Sequence, residues 1–131
     1  HIGYVAFSPL ANGFLSGRYG KNENFDKKYD YRSNMPQFQS DGIDQNQELL
    51  ALLHQLAQKK QATPAQISLA WMLCKKPYIV PIPGTRKLSR LTENAGAADV
   101  ILSAEEVAAI DNALDGMKMS QVFGGSRIVK Q

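Results

Sequence analysis

Gly84, Thr85, Arg86, Arg90, Glu93 and Asn94 fall in one short stretch of the chain, and together they can hold an anion beside a flat ring. Thr85 brings a hydroxyl donor. Arg86 brings a guanidinium that can grip a phosphate through two parallel N–H bonds. A glycine turn that opens a helix leaves backbone N–H groups unpaired and partly positive, and phosphate sits well there. Arg90 lies four residues after Arg86, on the same helical face if the helix already includes Arg86. Its planar group can lie over an aromatic base, and Glu93 and Asn94, one turn on, can meet that base's polar edge. Taken singly these residues read more plainly. Two arginines can be solvated helix charges, Glu93 their ion-pair partner, and Gly84 after Pro83 only a turn. The whole array, with a strand before it and a helix after it, favours a site.

The elements that must position these groups can be read on either side. Tyr78–Ile82 is an apolar run that reads as a strand, and Leu88–Ala98 as the helix behind the turn. Ile2–Ser8 is a second apolar run, aromatic and β-branched, ended by Pro9. Both runs read as strands buried on two faces, as in a parallel sheet. Residues 18–43 form a long polar loop without a clear period, and loops of that length are usually functional or mobile. Its aromatics, Phe25, Tyr29, Tyr31 and Phe38, read as packing the loop rather than lining a pocket. Asp44-x-x-Gln47 reads as a capping box opening a helix to Lys60, with Leu49, Leu52, Leu53 and Leu56 inward. Thr63-Pro64-Ala65-Gln66 opens the next helix, to Lys75, with Ile67, Ala70, Trp71 and Cys74 on one face. Ser103-Ala104-Glu105-Glu106 opens the last, to Leu114, with Val107, Ile110 and Leu114 inward. The tail, residues 117–131, reads as flexible. The order is thus strand, long loop, two helices, strand, two helices, which implies a crossover and a parallel pair.

Composition narrows the function classes. Hydrophobic residues make up 44 %, which places the chain among globular proteins. The net charge of +3 is too mild and scattered for a nucleic-acid surface. No apolar run approaches the ~20 residues that span a bilayer. Cys74 is the single cysteine, so no intrachain disulfide exists. It reads as a small buried hydrophobe. A cytoplasmic location fits these features. His54, inside the leucine-rich helix, reads as a surface or boundary residue.

Three segments carry a family resemblance: Ile2 to Gly17 (IGYVAFSPLANGFLSG), Thr63 to Trp71 (TPAQISLAW), and Pro81 to Asn94 (PIPGTRKLSRLTEN). They resemble, in turn, the seventh strand and following loop, the seventh helix, and the adenosine-2′-phosphate site of the aldo-keto reductases, over residues 2–114. The resemblance implies an α/β fold that is the C-terminal part of a (β/α)8 barrel, with two parallel strands and four helices. A complete barrel of this kind needs roughly 250 residues, and this chain has 131. The family transfers hydride from NADPH to aldehydes or ketones. By resemblance, Ser8, Leu10, Ala11 and Gly13 lie against the nicotinamide-side ribose and pyrophosphate. Gly84, Thr85 and Arg86 clamp the 2′-phosphate, Arg90 lies over adenine, and Glu93 and Asn94 meet the adenine edge. Many relatives have glycine where this chain has Ala11. The cationic clamp implies NADP(H) rather than NAD(H). The family's catalytic tyrosine, lysine, aspartate and histidine come from earlier strands, so no catalytic residue carries over to this chain.

Two strands with open apolar edges invite pairing. Hence the expectation that the missing N-terminal half joins here, that copies associate, or that the chain belongs to a longer protein. Three functional readings follow: the cofactor-binding part of a carbonyl-reducing enzyme, which is preferred; a non-catalytic nucleotide-binding or redox-sensing interaction module; and a remnant without function.

Overall fold

The computed structural model describes residues 2–118; the remainder of the expected tail, like His1, lies outside the described residues. Strand β1 (Tyr4–Phe7) pairs in parallel with β2 (Ile79–Ile82), Tyr4 opposite Ile79 and Phe7 opposite Ile82. Between them come three 3-10 turns (Ala11–Ser16, Tyr31–Asn34 and Pro36–Phe38) and three helices. These are α1 (Ser40–Gln45), α2 (Gln47–Lys60) and α3 (Pro64–Lys75). After β2 come α4 (Leu88–Ala95), a 3-10 turn (Gly96–Asp99) and α5 (Ala104–Gly116).

Two of the three expected capping boxes form. The Thr63 hydroxyl accepts from the Gln66 N–H and the Gln66 amide oxygen from the Thr63 N–H, at 3.2 and 3.0 Å. Ser103 and Glu106 make the same reciprocal pair at 3.2 and 2.9 Å. The third does not form. Asp44 lies inside α1, and its carboxylate pairs with Lys21 at 2.6 Å. The helix expected from Asp44 is instead broken at Asn46, whose buried side-chain amide donates to the Gly42 carbonyl at 2.7 Å. An asparagine that bonds its own preceding turn competes with the helical ladder. Among the described residues five helices therefore stand where four were expected.

The core sits between α2, α3 and α5. Leu49, Leu53, Leu56, Ala57, Ile67, Ala70, Leu102 and Ile110 form one cluster, and Ile67 has no exposed surface. A second cluster, Phe14, Phe38, Ile43 and Leu50, packs the long loop onto α2. Polar contacts pin the helices where they meet. Glu106 is 7 % exposed and takes both Lys59 (2.9 Å) and Lys60 (2.7 Å) from α2. Those two ammonium groups, Lys60 foremost, pull its carboxyl down to about 2. On the other side of α5, Asp111 accepts from the Trp71 indole at 2.8 Å and from Lys75 at 2.6 Å.

Two further expectations fail. The strands are not buried on both faces: Tyr4, Val5 and Phe7 are 60–73 % exposed, and Val80 and Ile82 about half exposed. α3 packs against β2, but among the described residues no third strand covers either flank of the sheet. Cys74 is exposed rather than buried. It lies in the last turn of α3, beyond the buried positions Ile67 and Ala70, where Leu73 is also open to solvent. His54 is exposed, as its place on α2 suggested.

Candidate functional site

Because β1 and β2 run in parallel, the segments that follow them leave the sheet at the same edge. After β1 the backbone folds back on itself in unusual geometry. Ser8, Ala11 and Asn12 have φ of 51, 48 and 59°, and Gly13 has φ of 93°. Left-handed geometry at non-glycine residues costs about 1–2 kcal/mol each and is held only where the surroundings enforce it. Internal bonds do so here. The Ala11 N–H bonds the Ser8 carbonyl, Gly13 and Leu15 bond the Leu10 carbonyl, and the Ser16 hydroxyl donates to the Gly13 carbonyl at 2.6 Å.

After β2, Gly84, Thr85 and Arg86 lie on an exposed turn ahead of α4. The Thr85 hydroxyl accepts from the Lys87 N–H at 3.1 Å. α4 begins at Leu88 with no side-chain cap; the Arg90 N–H turns back to the Lys87 carbonyl at 3.0 Å, which leaves the Leu88 and Ser89 N–H groups to solvent or a ligand. Arg86 therefore stands on the turn and not on the helical face of Arg90. Among the described residues it has no carboxylate partner. Arg90 is differently placed. Its Nη1 donates to Oε2 of Glu93 at 2.8 Å, and Arg18 reaches the same oxygen at 3.5 Å from the start of the long loop. The Glu93 carbonyl in turn accepts from the Gln66 side chain at 2.9 Å, which ties α4 to the capping box of α3.

The two segments share a cavity of about 750 Å³, within the size range of small-molecule sites. Ser8, Leu10, Gly13, Gly84, Thr85, Arg86, Arg90, Glu93 and Asn94 all line it. Ala11 does not; it lines a separate apolar cavity of about 150 Å³ with Phe14, Leu53 and Trp71. Its left-handed turn packs it toward the cluster of Phe14 and Phe38.

The long loop supplies a wall that the sequence reading passed over. Arg18, Tyr19, Asp30 and Arg32 line the same cavity. Arg32 donates from Nε and Nη2 to the Asp30 carboxylate, at 2.9 and 2.5 Å, and from Nη1 to the Tyr19 hydroxyl at 2.9 Å. Its guanidinium lies 4.5 Å from the Phe25 ring centre and 5.0 Å from that of Tyr19. The pairing raises the Arg32 pKa and lowers that of Asp30. The aromatics divide. Phe25 and Phe38 pack the loop as expected, while Tyr29 and Tyr31 are exposed and line the cavity, Tyr31 donating to the Asn12 side chain at 2.9 Å. The spacing Asp30-x-Arg32 and the loop's length were the signals available. No group of three or more metal-ligating side chains occurs among the described residues. None of their helices is long and apolar enough to cross a membrane.

Comparison with known proteins gives a consistent result. The Aldo/keto reductase family model matches residues 1–115. The chain is 42 % identical over 106 residues to aldo-keto reductase str7 of Strobilurus tenacellus, covering 81 % of this chain and 31 % of the relative. It is 37 % identical over 119 residues to the Schizosaccharomyces pombe aldo-keto reductase yakc, whose name carries NADP(+), covering 91 % of this chain and 35 % of the relative. The structure superposes on a glycerol dehydrogenase from Gluconobacter oxydans with a TM-score of 0.76 at 24 % identity, covering 92 % of this chain and 36 % of the other. The chain thus spans about a third of the length of these relatives, and its open α/β layout is that of an incomplete barrel.

Proposed function

The chain belongs to the Aldo/keto reductase family, and on that premise we propose that it is the NADP(H)-binding portion of an oxidoreductase that reduces aldehydes or ketones to alcohols. One observation carries this reading: the segments after the two parallel strands, far apart in sequence, line a single cavity with a guanidinium, that of Arg86, which has no carboxylate partner among the described residues. Barrel sites are built at the C-terminal ends of strands, where these segments lie. The residues fit a phosphate-bearing nucleotide. Arg86 offers a fork of donors, Thr85 a hydroxyl hydrogen, and Gly84 an approach free of side-chain bulk, since nothing lies within 4 Å of where its Cβ would stand. Arg90 and Glu93 hold each other in place. Glu93 uses Oε2 for both arginines, so Oε1 is the atom that would accept from a base edge.

NADPH, when bound, supplies the hydride. A carbonyl that gains hydride becomes an alkoxide and needs a nearby acid. We assign no such acid to this chain. The tyrosines lining the cavity, Tyr19, Tyr29 and Tyr31, are engaged or exposed on the loop. The complete enzyme would draw its proton donor from the remainder of the barrel, docked on the open edges of β1 and β2. A non-catalytic nucleotide-binding module is the second reading, favoured by the same exposed strands as a surface for a partner.

The test is a calorimetric titration of the chain with NADPH and with NADH, repeated on Arg86→Ala. NADPH should bind more tightly than NADH. The substitution should weaken NADPH by about 1.5–3 kcal/mol, the range for hydrogen bonds to charged groups, or roughly 10- to 150-fold. Equal affinities for the two cofactors, or indifference to Arg86, would sink the proposal.

A further inference from the structure

We propose that Tyr19 is a positioning residue for the cavity, setting the Gly13 turn through direct contact of its ring. A side-chain carbon built on Gly13 would come within 3.1 Å of Cε2 of Tyr19, so the ring lies hard against the glycine backbone. Gly13 is also the residue of that turn with the largest positive φ, and its backbone lines the cavity. Its own polar groups are committed, the N–H to the Leu10 carbonyl and the carbonyl to the Ser16 hydroxyl. What Gly13 offers a ligand is therefore closeness of approach. How close depends on what stands behind it.

Tyr19 is what stands behind it, and Tyr19 is itself clamped. Its ring meets Phe25 and Phe38 at 5.5 and 5.6 Å between centres, the latter edge to face. Phe38 is 8 % exposed and belongs to the second core cluster. The hydroxyl of Tyr19 holds Nη1 of Arg32, and Arg32 is fixed from its other side by Asp30. The sequence of contacts runs from core through ring to turn. Side chains locked by packing and by a further layer of hydrogen bonds are how sites are held to a fraction of an ångström. The ring contact with Gly13 is the decisive link; the hydroxyl only steadies it.

The test separates ring from hydroxyl in the free chain. Tyr19→Ala should shift the Gly13 amide resonance and speed exchange of its hydrogen at least tenfold. Tyr19→Phe, which keeps the ring, should leave both within twofold of the parent. Leu50→Ala, which removes bulk from the same core cluster, should lower the melting temperature yet leave the Gly13 resonance in place. An unmoved Gly13 signal in Tyr19→Ala, or an equal change in Tyr19→Phe or Leu50→Ala, overturns the proposal. A second readout rests on the reading of the cavity as a nucleotide site. Tyr19→Ala should weaken NADPH and NADH by the same factor, 5- to 20-fold, because positioning does not sense the 2′-phosphate. A changed NADPH/NADH ratio would mean direct contact with the ligand and would also overturn it. If the parent chain binds neither cofactor, the nucleotide reading fails and the Gly13 measurements still decide the role of Tyr19.

Discussion

The helical layer and the two-stranded sheet of this chain both present apolar side chains, yet they differ in whether the chain itself supplies their neighbours. α2, α3 and α5 bury Leu53, Ile67 and Ile110 against one another and join across Glu106 and Asp111, and Thr63 and Ser103 close the N-termini of α3 and α5. The strands leave Val5, Phe7, Val80 and Ile82 at least half exposed. Burial of apolar surface is the main stabilising term in folding. The layer therefore holds this piece together, and the sheet contributes its share only when something covers it.

The largest expected effect breaks or confirms that contrast directly. Ile67→Ala should destabilise the chain by about 2–5 kcal/mol, the range for truncating a buried isoleucine. Val80→Ala should cost less than ~0.5 kcal/mol, as for exposed positions. Denaturant unfolding of the two variants checks this, and comparable losses would mean that the sheet is already buried, by self-association. A smaller effect tests the layer's polar seam. Glu106 is depressed from its ordinary 4.5 to about 2 by Lys60 and Lys59. A group held low in the folded state adds stability that is fully present above pH 4.5 and is lost as pH falls toward 2. The melting temperature of the parent should drop across that window, and Glu106→Gln should flatten the drop; an unchanged slope would contradict the ion pairs. The smallest effect concerns the turn after β1. Ala11 sits at φ 48°, where glycine is at ease, so Ala11→Gly should stabilise slightly, by ~0.5–1 kcal/mol, despite glycine's entropy cost. A loss of stability would show that the methyl's packing near Phe14 outweighs the relief.

What could be read in advance follows the same division. The Thr63 and Ser103 capping boxes and the inward faces of α2, α3 and α5 are local patterns, with causes that lie within a turn or two of helix. The parallel pairing of residues 4–7 with 79–82 followed from two apolar runs and the helices between them. The break at Asn46 was not legible, because it depends on a bond back to Gly42, whose methylated form would run into the Pro36 carbonyl. At the cavity, the residues of both segments were legible by type, but their partners were not. Arg18 meets Glu93 and Arg32 meets Tyr19 only once the long loop is folded, and no period within residues 18–43 announces that path. Cys74 was misread because helical spacing says which face a residue shares and not how far along that face the covering elements extend.

Trp71 is the only tryptophan of the chain, and its indole is bonded to Asp111 and lies 5.5 Å from the Lys75 ammonium. Its emission is therefore a built-in optical gauge of whether α3 and α5 are docked. Tyr4 and Tyr78 stand on and beside the sheet, 60 and 50 % exposed, in a different part of the molecule. Selective excitation of tryptophan follows the helical layer, and tyrosine absorbance adds the surroundings of the sheet together with those of the loop residues Tyr19, Tyr29 and Tyr31. With the three loop tyrosines replaced by phenylalanine, one sample would carry two colours of signal for its two regions, and a partner covering the strands would change the tyrosine signal while leaving that of Trp71 still.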